Sequence, residues 1–159
     1  MTAKPPMLIS CAPWAAQRAP RAAARLIAAA VFVPAVAILL IAWTLTPESQ
    51  GLGTHQQLGL PPCGFRIATG LPCATCGMTT AFTYAAHGHL LSSLITQPAG
   101  AALALITAMA ALLSGWALLT GASLAPLGRM IARPSVVLVV GVLLLLAWIY
   151  TIAIHYAGI

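Results

Sequence analysis

Three stretches of this chain, about residues 26–45, 99–120 and 136–154, contain no charged residue. Each is long enough to cross a bilayer as a helix, which takes about 20 apolar residues. The rest of the composition closes off the other solutions. Of 159 residues 61% are hydrophobic and 5% are charged, against roughly 25% charged in soluble domains. A soluble globule would have too few charges to cover its surface, and a disordered chain would need low hydrophobicity and high charge. The 7 basic residues are scattered, which argues against nucleic acid as a partner. The expected fold is an all-α membrane protein with three transmembrane helices, set in a lipid bilayer. Pro34 falls inside the first span, where membrane helices tolerate it. Pro98 and Pro134 fall just before the second and third, where a missing N–H costs nothing.

The first apolar run is longer than the 7–15-residue core of a cleaved signal peptide, so it reads as an uncleaved anchor. Lys4, Arg18, Arg21 and Arg25 precede it, and Arg129 and Arg133 separate spans two and three. Only Arg66 lies between spans one and two. Basic residues mark the cytoplasmic side. The amino terminus is therefore expected in the cytoplasm, with segment 47–97 and the carboxyl terminus extracytoplasmic. Residues 1–25 read as a basic leader, disordered or lying on the headgroups with Trp14, and Cys11 in it is expected to stay reduced. Residues 26–157 read as a single three-span membrane domain. Gly100, Ala104 and Ala108 form a small-residue face on span two that admits close helix approach. Trp43 and Tyr156 sit where headgroup anchors belong.

The chemistry, if any, belongs to segment 47–97, which is too long for a turn. Thr75 to Ala86 suits a short helix closed by Gly88, and Leu90 to Ile95 a second, both too short to span. They read as a re-entrant or interfacial helical segment between spans one and two. Cys63, Cys73 and Cys76 all lie in this segment. Phe65, Thr69, Gly70, Pro72, Gly77 and Thr79 stand around the cysteines, and His87-Gly88 and Gln97-Pro98 follow. In these residues the stretch resembles a bacterial family of small membrane proteins known as domain of unknown function 2752. Its pattern is similar in spacing through Cys63, Cys73 and Cys76. Two positions depart from it: Ala74 stands where the family has Pro, and Thr80 where many members have Arg. The resemblance implies the three-span architecture over about residues 26–157 and implies no activity.

Three cysteines at this spacing support three chemistries. A disulfide among Cys63, Cys73 and Cys76 would staple the segment, and disulfides persist outside the cytoplasm. Thiol–disulfide exchange would use Cys73 as the attacking thiol and Cys76 as the resolving one, the helix start lowering the first pKa. The βαβ frame that usually accompanies that motif is absent. Zinc would take the three thiolates and an imidazole, with His87 the candidate fourth ligand. Gly77 after Cys76 excludes haem attachment. Glu48 is the only acid, which excludes paired-carboxylate catalysis and an aspartate-oriented triad. Spans two and three hold no ionisable residue before the terminal His155, which argues against an ion relay.

The resulting expectation is a non-enzymatic inner-membrane protein without a cofactor. Its extracytoplasmic element is held by a disulfide, and it serves as an accessory to another membrane protein or to further copies of itself. The competing expectations are a membrane thiol oxidoreductase on Cys73 and Cys76, and a Cys/His metal-binding membrane protein.

Overall fold

Alanine spacing decides how the spans pack. The structure is a computed structural model that describes residues 21–157; residues 1–20 of the leader, with Trp14 and Cys11, lie outside the described residues. Residues 21–25, expected in the leader, open the first helix instead. Helix α1, Arg21–Thr44, buries Ala24, Ala28, Ala35 and Ala42 along one stripe. Helix α5, Pro98–Thr120, answers with Gly100, Ala101, Ala104, Ala111, Ser114 and Ala117. Small residues on both faces let the backbones approach, which is how helices associate where lipid removes the hydrophobic drive. Of the small-residue face expected at Gly100, Ala104 and Ala108, Gly100 and Ala104 are buried and Ala108 is half-buried, and Gly100 meets the short helix Met78–Ala86 rather than α1. Gly115 makes room for Phe32 of α1, since a Cβ there would stand 3.1 Å from its ring. The two helices run antiparallel, because Gly121 at the end of α5 sits beside Arg21 at the start of α1. Pro34 lies within α1 and does not interrupt it.

Between α1 and α5 the chain forms a 3-10 turn, Thr54–Leu58, and three short helices: α2, Gly64–Thr69; α3, Met78–Ala86; and α4, Leu90–Thr96. Helix α3 packs on α1, α4 and α5, and Phe82 seals a cluster with Ala42 and Ala104. This inserted segment thus leans on two of the three spans.

Helix α6, Ala125–Ile131, fills the break before α7, Pro134–Ala157. Three helices, α1, α5 and α7, are long and apolar enough to cross a membrane, and no strand occurs among the described residues. Helix α7 packs on α5 and α6 along short stretches, and leucines such as Leu138, Leu143 and Leu146 face outward, as lipid contact requires. Two hydrogen bonds tie α7 to the inserted segment: Trp148 Nε1 donates to the Pro72 carbonyl at 3.1 Å, and Tyr150 Oη to the Ile95 carbonyl at 3.2 Å. Trp148 precedes the last described helical residue, Ala157, by nine positions. Pro72 is therefore held about 13 Å inside the end of α7.

Candidate metal centre

The cysteine segment is positioned by buried polar side chains. Gln97 is fully buried and caps α5: its Oε1 accepts from Gly100 N, and its Nε2 donates to the Ala74 carbonyl at 3.2 Å. One amide therefore fixes the Cys73–Cys76 turn to the start of a membrane span. Leaving either partner unsatisfied in this setting would cost about 1–3 kcal/mol. Pro98 occupies the first turn of α5, where it forfeits no helical hydrogen bond.

Gly77 completes the turn with φ +84°, the left-handed region that glycine enters without strain. A Cβ there would also stand 3.2 Å from the Gly51 carbonyl oxygen and 3.4 Å from Leu52. Gly100 serves the crossing of α3 over α5, since its Cβ would collide with Ala81 at 2.9 Å. On the other side of α3, Thr80 is buried and its hydroxyl pairs with the buried Thr54 hydroxyl at 2.9 Å. Thr54 Oγ1 also accepts from Glu48 N at 3.1 Å. Gln57 binds the backbone of Thr46 at both its N–H and its carbonyl. These contacts fasten the 46–58 strap against the cysteine turn.

Cys63 precedes α2 and accepts its first-turn bond, from Ile67 N at 3.1 Å. Gly70 ends α2 in the left-handed conformation. The Thr69 hydroxyl donates to Phe65 O and accepts from Leu71 N, and so turns the chain back. Pro72 is fully buried under Trp148. The return brings the three sulfurs together: the Sγ atoms of Cys63, Cys73 and Cys76 all lie within 4.8 Å of one another. Cys73 and Cys76 are hydrogen-bonded to each other at 3.2 Å, and the Cys73 sulfur also meets Thr75 Oγ1 at 3.3 Å. All three side chains are partly buried.

The two thiols of the pair differ in acidity. Burial raises the pKa of Cys73, but hydrogen bonds from the Thr75 hydroxyl, the Cys76 thiol, the Thr75 backbone and the Cys63 thiol outweigh it. Cys73 settles at about 7. Burial pushes Cys76 up, and so do its bond to the Cys73 sulfur and the charge that sulfur carries once ionised, reaching about 12. The helix start, expected to lower the first cysteine, is not the source of this shift. Helix α3 begins at Met78, beyond both thiols.

Cys63 and Cys76 open on a groove of about 290 Å³ that His55 and Arg66 also line. A second groove of about 520 Å³ holds His155 and Thr151 and shares Leu52 and Arg66 with the first. His87 is not in this neighbourhood. It caps the far end of α3, with Nδ1 bonded to the Thr83 carbonyl at 2.8 Å and its ring 6.2 Å from that of Trp43. That is roughly 13 Å of helix away from the cysteine turn. His89 stands at the start of α4 beside Tyr84. Of the remaining motif residues, Phe65 is exposed and Thr79 lends its carbonyl to the Thr83 hydroxyl. His55, on the wall of the groove onto which Cys63 and Cys76 open, carried no motif, because the fold of the strap rather than any spacing brings it there.

No curated protein and no solved structure shows significant similarity to the chain. Residues 63–111 match the family model described as "Protein of unknown function (DUF2752)". The match opens at Cys63 and runs through the cysteine turn and the Gln97 cap into α5. Over this segment the chain is similar to the DUF2752 family.

Proposed function

We propose that this chain is a three-span protein of the bacterial inner membrane whose segment 47–97 holds a zinc ion on Cys63, Cys73 and Cys76. The convergence of three sulfurs, rather than two, carries this reading. A structural staple needs one pair. The fold brings in the third from ten residues upstream, through the Gly70 turn and the Trp148–Pro72 bond. Tetrahedral thiolates about 2.3 Å from zinc stand about 3.8 Å apart, a spacing bracketed by the observed 3.2 and 4.8 Å. Charge supports it as well. Three thiolates and Zn²⁺ sum to −1, and Arg66, the only basic residue of segment 47–97, lines the adjoining groove. The role is that of a non-enzymatic accessory, with the amino terminus in the cytoplasm and the cysteine segment outside. Its partner is a second membrane protein or another copy of the chain.

One observation favours a second reading. The 3.2 Å between the Cys73 and Cys76 sulfurs is a short step from a bond, and the extracytoplasmic side favours disulfides. Metal analysis of the purified full chain, with intact mass after alkylation under denaturing, chelating conditions, separates the two. About one zinc per chain and four alkylated thiols without reductant are expected, Cys11 included. Two alkylated thiols and no zinc would replace the metal with a disulfide staple.

A further inference from the structure

We infer that His55 is the fourth ligand and closes the metal site through Nδ1; this inference rests on the zinc reading above. Four histidines occur in the chain, and the structure distinguishes them. His87 already uses Nδ1 on the Thr83 carbonyl at the far end of α3. His89 lies at the α3–α4 junction beside Tyr84, and His155 faces the neighbouring groove, beyond Leu52 and Arg66. Only His55 lines the groove onto which Cys63 and Cys76 open.

The imidazole is also held in the manner of a ligand. Its Nε2 lies 3.3 Å from the carbonyl of Pro61, two residues before Cys63. A carbonyl can only accept, so this contact selects the tautomer with the proton on Nε2 and leaves the Nδ1 lone pair bare. Metal-bound histidines characteristically donate their other N–H to a carbonyl or carboxylate in this way. The carbonyl used here belongs to the very strand of chain that delivers Cys63, so one contact couples the two ligands. The backbone of His55 is fixed next door, where Thr54 is buried against Thr80 and the Glu48 N–H. The three sulfurs alone form the tight cluster, so binding draws the imidazole in from the groove wall.

The consequence is chemical. Structural zinc sites are closed by four protein ligands, whereas catalytic sites keep one position for water or substrate. A Cys₃His set on Cys63, Cys73, Cys76 and His55 is closed. It would clamp the 46–58 strap, α2 and the cysteine turn into one body and leave no seat for a substrate.

Cobalt(II) tests this, since its visible spectrum reports ligand type and number. Full-length protein in detergent, stripped of metal and reduced, would be titrated with Co²⁺ and then displaced with Zn²⁺. Wild-type protein is expected to show thiolate-to-metal charge transfer and a tetrahedral band. His55→Ala should shift that band and weaken zinc binding on the order of 10- to 100-fold. His55→Cys should restore tight binding as a four-sulfur site, and His87→Ala should match wild type. An unshifted spectrum and undiminished affinity in His55→Ala would overturn the fourth-ligand assignment while leaving the three-sulfur site standing. Absence of charge transfer in the wild type would overturn the zinc reading itself. If His55→Ala fails to fold, His55→Cys decides alone: a shift toward a four-sulfur spectrum supports the assignment, and a wild-type spectrum with one unligated thiol refutes it.

Discussion

Thr75, Cys76 and Cys63 surround the Cys73 sulfur, and all three lower its pKa. Among the described residues they are the groups that face it; Arg66 lies across the groove from Cys76. In metal-free, reduced protein Cys73 should therefore be the first of the three to react with iodoacetamide. Its alkylation rate should rise through about pH 7 and fall below that as the thiol takes up its proton. Cys76, pushed to about 12, should remain unreactive across the same range. Thr75→Val deletes one donor to the thiolate, so the Cys73 profile should move to higher pH while Cys76 hardly changes. A rate profile that ignores the Thr75 substitution would show that the hydroxyl does not set the acidity. Much of the site at this scale is visible in the sequence, because Cys63, Cys73, Cys76 and Gln97-Pro98 declare themselves by residue type and spacing. His55 and the Thr54–Thr80 pair do not. The latter joins positions 26 apart through a strap with no periodic pattern.

At the scale of elements, the apposed alanine faces of α1 and α5 replace the large interdigitating side chains of a soluble core. Ala104 lies toward one end of this pair, buried in a cluster with Ala42 and Phe82. Ala104→Leu forces a side chain into that contact and should destabilise by about 1–3 kcal/mol, read as a lowered unfolding temperature in detergent. Leu105→Ala, one residue on and facing outward, should leave that temperature nearly unchanged. Equal effects at both positions would mean that α1 and α5 do not meet through this face. The spans were legible because nothing but a membrane helix tolerates such uninterrupted apolar runs. The 3-10 turn at Thr54–Leu58 and the six-residue α2 were not. One or two turns of helix leave no periodicity, and tertiary contacts fix them. Helix α6 lay hidden for the same reason in the basic break before Pro134.

For the whole molecule, the asymmetry of basic residues makes a claim about sides. Arg129 and Arg133 lie between α5 and α7, and Lys4, Arg18, Arg21 and Arg25 precede or begin α1. In an otherwise cysteine-free chain, Ser49→Cys should react with a membrane-impermeant maleimide on intact cells, and a chain keeping only Cys11 should not. Labelling of Cys11 with protection at position 49 would reverse the orientation. Among the side-chain hydrogen bonds of the described residues, the one that joins the most distant positions runs from Trp148 to the Pro72 carbonyl, over 76 residues. Synthesis at about 5–20 residues per second puts roughly 4–15 s between the emergence of one partner and the other. During that interval the cysteine turn exists without its Trp148 tie. The last tie on the cysteine segment therefore closes only once α7 has been made, and until then the segment is held by Gln97 and the 46–58 strap.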